Sequence, residues 1–191
     1  MIPMGYMAKR VEGSPGWRKP SQVSDVYSVS ACVNDDFADY VGYWKHNCWW
    51  FFDSPEVIQD LAQENSIDLQ GTKLFYYEAH ELEFNDGVWR SYSPGPVWPV
   101  GSQVADPMEK QLEGFDVVVV WVENSPAPEH SPLSCQHLAE TLPTNAHCLF
   151  ESFDSAYTAL TCGEFQGCEP GALRIFAVHS VDWPSSTANM A

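Results

Sequence analysis

Lys45–Glu56 reads KHNCWWFFDSPE, and the placement of its successive aromatics decides the fold. As a strand the stretch alternates: His46, Cys48, Trp50 and Phe52 face one way, and Asn47, Trp49 and Phe51 the other. Both faces are then apolar at their centre. That describes a central strand covered on both sides, because large aromatics dominate cores. The competing reading turns Trp49 or Trp50 toward a concave site with His46, since ligand sites are lined by aromatics with a few polar groups. The stretch ends on a helix start. Either Ser54 caps it with Pro55 at the first helical position, or Asp53 and Glu56 form a capping box. Val57, Ile58, Leu61 and Ala62 then share one face, with Gln59, Asp60, Gln63 and Glu64 opposite, so an amphipathic helix follows.

Outward from this block, Asp25–Val33 alternates as a first strand, while 35–44 carries no decisive pattern. Thr72–Phe84 reads as a long strand, Asn85-Asp86-Gly87 as a hairpin turn and Val88–Tyr92 as the return. Ser93–Pro107 is a Pro-rich loop containing Trp98. Phe115–Val122 is continuously apolar and suits a strand buried on both faces. Ser131-Pro132 opens a short helix running to Thr141, and Cys148–Phe150 is a short strand. Ser152 or Asp154 opens another helix that Gly163 ends, and Leu173–Val181 closes the fold as a strand. No internal repeat is visible. The fold expected is α+β, a largely antiparallel sheet with about three short helices on one face.

The organisation expected is a single domain over 25–184, preceded by a flexible basic arm, 1–24, and followed by a disordered tail, 185–191. The arm holds Pro3, Pro15, Pro20 and the basic cluster, and is expected to be dispensable for folding.

Charge bounds the partners. The chain of 191 residues carries a net −17. Residues 1–20 hold Lys9, Arg10, Arg18 and Lys19 against Glu12, and residues 21–191 hold five basic against 25 acidic residues. Such a field repels nucleic-acid phosphates and anionic membranes and favours a basic protein partner. The longest apolar run, Val117–Val122, is far too short to span a bilayer. MIPMGYMAKRVEGSPGW lacks an apolar run of signal length, so the chain reads as cytoplasmic, with its six cysteines reduced.

Three constellations bear on chemistry. Cys135, His137, His147 and Cys148 offer zinc-type ligands, but neither C-x-H on a helix nor His-Cys on a strand aims its side chains at one point. Cys48 shares a strand face with His46, and Cys135 precedes His137 by two residues, but no nucleophile signature surrounds either thiol. Cys162 and Cys168 flank a loop that a disulfide can close, or simply border a turn. Tyr76, Glu78 and His80 form a row on one strand face that suits acid–base work or, more simply, an exposed strand end. The phosphate-loop, dinucleotide-loop, Gly-x-Ser-x-Gly and His-Glu-x-x-His signatures are missing from the sequence. The reading therefore assigns no catalytic residue, cofactor or metal.

His46-Asn47 with Phe52–Glu56, GTKLFYYE (Gly71–Glu78), LEGFDV (Leu112–Val117), SPLSC (Ser131–Cys135) and GALRIFAV (Gly171–Val178) resemble blocks of small uncharacterised bacterial cytosolic proteins. That resemblance covers about residues 43–181 and implies no activity. The function expected is an acidic binding protein that engages a basic protein partner, as inhibitors and immunity proteins do. Trp89, Trp98, Trp49 and His46 are the candidate contact residues. The alternatives are a small enzyme with a Cys/His or Glu/His site, and an accessory subunit docking through its basic arm.

Overall fold

The computed structural model describes residues 1–11, 13, 16–17, 22–37, 47, 50–92, 103–120 and 128–184. Among them one sheet forms from β1 (Ile2–Arg10), β2 (Asp35–Asp36), β3 (Lys73–Asn85), β4 (Val88–Ser91), β5 (Gln111–Val120), β6 (Pro128–His130) and β7 (Ala172–Val181). Its order is β2-β1-β3-β7-β5-β6, with β4 paired to β3, and every pairing is antiparallel. Helices α1 (Pro55–Asn65), α2 (Pro132–Cys135) and α3 (Phe153–Thr161) join the strands. The α+β class and the antiparallel sheet are as the sequence indicated.

Contrary to the sequence reading, the chain contains an internal repeat. Gly5 in β1 and Gly114 in β5 each sit at a register shift, with φ of 130° and 144°. A Cβ at Gly5 would lie 2.6 Å from the Phe52 carbonyl oxygen, and one at Gly114 would lie 2.7 Å from that of Phe150. In each half an asparagine locks this crossing. Asn47 Nδ2 donates to the Met4 carbonyl at 3.0 Å, and its Oδ1 accepts from the Phe51 N–H at 3.1 Å. Asn145 Nδ2 donates to the Glu113 carbonyl at 2.7 Å, and its Oδ1 accepts from the Leu149 N–H at 3.1 Å. The following turn passes through positive φ at Trp50 (73°) and Cys148 (62°). A serine then caps each helix: Ser54 Oγ accepts from Val57 N, and Ser152 Oγ from Ser155 N. Between the halves, Tyr77 pairs with Val178, flanked by Tyr76–His179 and Glu78–Ala177. Gly5 pairs with Tyr77, and Gly114 with Val178. The register thus maps one half onto the other by a pseudo-two-fold axis at the Tyr77–Val178 pair.

The repeat explains the aromatic run. Around Asn47 and Trp50 the chain makes a tight turn, in which Asn47 N–H donates to the Phe51 carbonyl, and only a bridge of Phe52 to Tyr6 is sheet-like. The expected strand there is therefore a turn over its described residues. Phe51 and Leu149 both enter the central cluster with Tyr77 and Val178, while Phe150 packs with α3 residues Ala156, Ala159 and Leu160. Ile58, Leu61 and Ala62 bury α1 in the central cluster beside Tyr6, Phe52 and Leu74.

Three further expectations are corrected. Residues 2–10 are not an arm, because β1 lies inside the sheet between β2 and β3 with Met4, Tyr6, Met7, Ala8 and Lys9 all buried. Asp25–Val33 is not a strand. Its carbonyls at Ser28, Val29 and Ser30 instead accept from the buried Lys9 Nζ at 2.8, 2.9 and 3.1 Å, and Lys9 also pairs with Asp36 at 2.8 Å. The helix expected through Thr141 breaks at His137, whose φ is 60°, into α2 and a 3-10 turn at Leu138–Glu140. The expected tail, 185–191, lies outside the described residues.

Candidate functional site

The β3–β4 hairpin lays Trp89 flat on Tyr157 of α3, with ring centroids 4.6 Å apart and planes at 5°. Phe84 lies 5.2 Å away, and His80 bridges to the group, 6.0 Å from Trp89 and 4.7 Å from Phe153. Trp89 is half-buried, and its Nε1 has no hydrogen-bond partner among the described residues. Tyr157 is 36% exposed and Val88 51%, so this aromatic face reaches solvent. Exposed Glu81 and Asp86 on the hairpin and Glu151 and Asp154 at the start of α3 lie on the same two elements. This placement suits a contact surface, since aromatic anchors within a polar rim dominate binding energy. Trp98, Trp49 and His46 lie outside the described residues.

A second cluster sits on the pseudo-axis. His179 Nε2 and Lys110 Nζ meet the Glu78 carboxylate at 2.8 and 3.0 Å. Tyr76 O–H donates to Asp106 at 2.8 Å. Burial pushes the His179 imidazole below its ordinary value, with the Lys110 charge adding to the effect. Burial, then Asp106, pushes the Tyr76 phenol well up. Of the predicted row, Tyr76 and Glu78 share the neighbours His179 and Lys110, but His80 lies within the register shift between Ala79 and Glu83 and turns to the aromatic face. Sequence reasoning missed His179, whose place opposite Tyr76 is set by the β3–β7 register alone.

The third cluster is sulfur. Cys32 and Cys135 form a disulfide with a Cα–Cα distance of 5.8 Å, so the expectation of six reduced cysteines is corrected at this pair. The candidate ring closure by Cys162 and Cys168 does not occur; both remain thiols. His130 Nδ1 lies 3.2 Å from Cys32 Sγ and 3.9 Å from Glu169 Oε2. Cys32, His130 and Cys135 are the one group of metal-ligand type found among the described residues. The zinc-type set weighed from sequence disperses. His137 stacks on Trp17 at 4.8 Å, His147 stacks on Tyr27 at 3.9 Å and pairs with Asp25 at 3.1 Å, and Cys148 is buried with Phe150.

The Cys32 segment is tied to both halves. Besides Lys9, Asp116 of β5 accepts from Val29 N at 2.9 Å and from Ser131 Oγ at 2.7 Å. Burial pushes the Asp116 carboxyl up to about 6 despite these bonds.

Searches of protein families, curated proteins and solved structures found no match to the chain. Among the described residues no helix is long and apolar enough to cross a membrane.

Proposed function

We propose that this chain is an acidic binding protein that engages a basic protein partner, in the manner of an inhibitor or immunity protein. The observation that carries this reading is the use of the described cations: two, Lys9 and Arg174, are buried, and two, Lys73 and Lys110, are paired with carboxylates at the surface. Lys9 is buried on Asp36, Lys73 pairs with Asp25 at 2.6 Å, Lys110 pairs with Glu78, and Arg174 is buried beneath the Tyr92 ring at 3.8 Å. Carboxylates outnumber cations 26 to 9 over the chain, which leaves the net −17. A field of that kind steers basic partners. Trp89 and Tyr157 supply the anchor, and Trp98, Trp49 and His46 are retained as further candidates from the sequence. Cross-linked capture from source cells, with Trp89 replaced by a photoreactive residue, tests this. The reading expects a basic protein linked at that position and association that slows as salt rises. An acidic captured partner, or none at all, contradicts it.

A second reading, a small enzyme, draws support from the Glu78–His179 pair. It adjoins an open cleft of about 270 Å³ lined by Lys110, Gln111, Ser180 and Asp182 among others. A His hydrogen-bonded to a carboxylate is a general-base arrangement. Saturable small-ligand binding lost in His179→Gln would favour this reading over the first.

A further inference from the structure

We propose that Cys32 and Cys135 form a thiol–disulfide exchange site, with Cys32 as the attacking sulfur and His130 as the group that stabilises its thiolate. The two cysteines differ as such a pair requires: Cys32 is exposed, and Cys135 is half-buried behind it. An attacking thiol needs access and a lowered pKa, whereas its resolving partner needs only proximity.

His130 Nδ1 points at Cys32 Sγ from 3.2 Å. Its other nitrogen, Nε2, is buried and has no partner among the described residues. An N–H there would be buried without an acceptor, which costs more than an unused lone pair. The proton therefore sits on Nδ1, where it faces the Cys32 sulfur and, at 3.9 Å, the Glu169 carboxylate. That tautomer also weighs against zinc. A metal-bound Nδ1 must give up its proton, leaving Nε2 to carry one, and ligating histidines almost always donate that N–H to a partner.

The position of Cys32 is held from beneath. Ser30 N–H donates to Ser131 Oγ at 3.2 Å, and the Lys9 ammonium grips the carbonyls of 28–30. Cys32 can therefore alternate between thiolate and disulfide without the loop losing its anchorage.

In the reduced protein the Cys32 thiolate attacks one sulfur of an accessible disulfide, RSSR′. The Cys32–SR bond forms, the S–S bond of RSSR′ breaks, and R′S⁻ leaves to take a proton from water. The Cys135 thiolate then attacks Cys32 Sγ, closing the Cys32–Cys135 bond and releasing RS⁻, which is protonated in turn. The substrate disulfide gains two electrons and two protons, and the protein dithiol loses them. The substrate class is an exposed disulfide, of a small thiol or of a bound partner.

The test is site-resolved alkylation of the fully reduced protein, followed by oxidised glutathione. Cys162 is an exposed thiol of the same chain and serves as the internal reference. Cys32 is expected to alkylate at least about tenfold faster than Cys162 at pH 7, as a thiol of lowered pKa does. Most of that advantage should be lost in His130→Gln. In Cys135→Ser, oxidised glutathione should leave a stable mixed disulfide at Cys32, while Cys32→Ser should trap none at Cys135. Equal rates at Cys32 and Cys162 in the unmodified chain would overturn the proposal. So would one tightly held zinc per reduced chain, or a Cys32–Cys135 bridge that excess dithiol fails to open in the folded state.

Discussion

At the scale of single residues, the fold turns on the two glycine–asparagine crossings. Gly114→Ala would place a methyl group 2.7 Å from a backbone oxygen at a φ of 144°. Gly87, with a φ of 76° in the hairpin, faces open space. Gly87→Ala should cost about 1–2 kcal/mol from left-handed backbone alone, and Gly114→Ala clearly more. Asn145→Ala removes an amide that donates to Glu113 O and accepts from His147 and Leu149, so about 2–4 kcal/mol should go. Urea denaturation of the three variants checks the order, and equal costs for the two glycines would count against the crossing. Asp116 makes a pH prediction. Its folded value of about 6 stands above its ordinary 3.8. Between these values the native state holds more protons than the unfolded chain, so this group's contribution falls as pH rises from 4 to 6 and is constant above. The loss is about 3 kcal/mol at most, at 1.36 kcal/mol per pH unit. Asp116→Asn should remove that falling limb, and urea midpoints measured from pH 4 to 7 would show it; an unchanged slope would mean that Asp116 titrates normally.

At the scale of elements, β3, the β4 hairpin, β5, β7, α1 and α3 were legible because periodicity, the Asn85-Asp86-Gly87 turn and the Ser54 and Ser152 caps agree locally. β1 was not. Pro3, Gly5 and the Lys9-Arg10 pair read as linker chemistry, yet Gly5 is required by the crossing and Lys9 is buried on carbonyls and Asp36. The repeat was hidden by its spacing. Asn47, Phe52 and Ser54 recur 98 residues on as Asn145, Phe150 and Ser152, but Gly5 and Gly114 stand 109 apart, so no single period aligns the whole repeat. The aromatic face was half legible: Trp89 was singled out, but its partner Tyr157 depends on where α3 docks. Deleting residues 1–10 should abolish cooperative unfolding, since β1 separates β2 from β3 and fills the central cluster. Thermal melts by circular dichroism are the measurement, and a truncated chain with an unshifted sharp transition would return β1 to the status of an arm.

At the scale of the whole molecule, the halves are alike in backbone and unlike in use. One half contributes the Lys9–Asp36 ion pair, and the other the Asp116 carboxylate, His130 and Cys135. The segment carrying Cys32 lies across both. Around this frame the described cations are largely paired or covered, and the outward charge is acidic, with Trp89 and Tyr157 showing through it. In the proposed complex with a basic protein, charge would govern encounter and the aromatic face residence. The measurement that tests this most directly is association and dissociation kinetics with the captured basic partner at low and high salt, for the unmodified chain and for Trp89→Ala. Association should slow by about 10-fold or more as salt rises, as steered encounters do, with Trp89→Ala chiefly speeding dissociation. Association indifferent to ionic strength would contradict it.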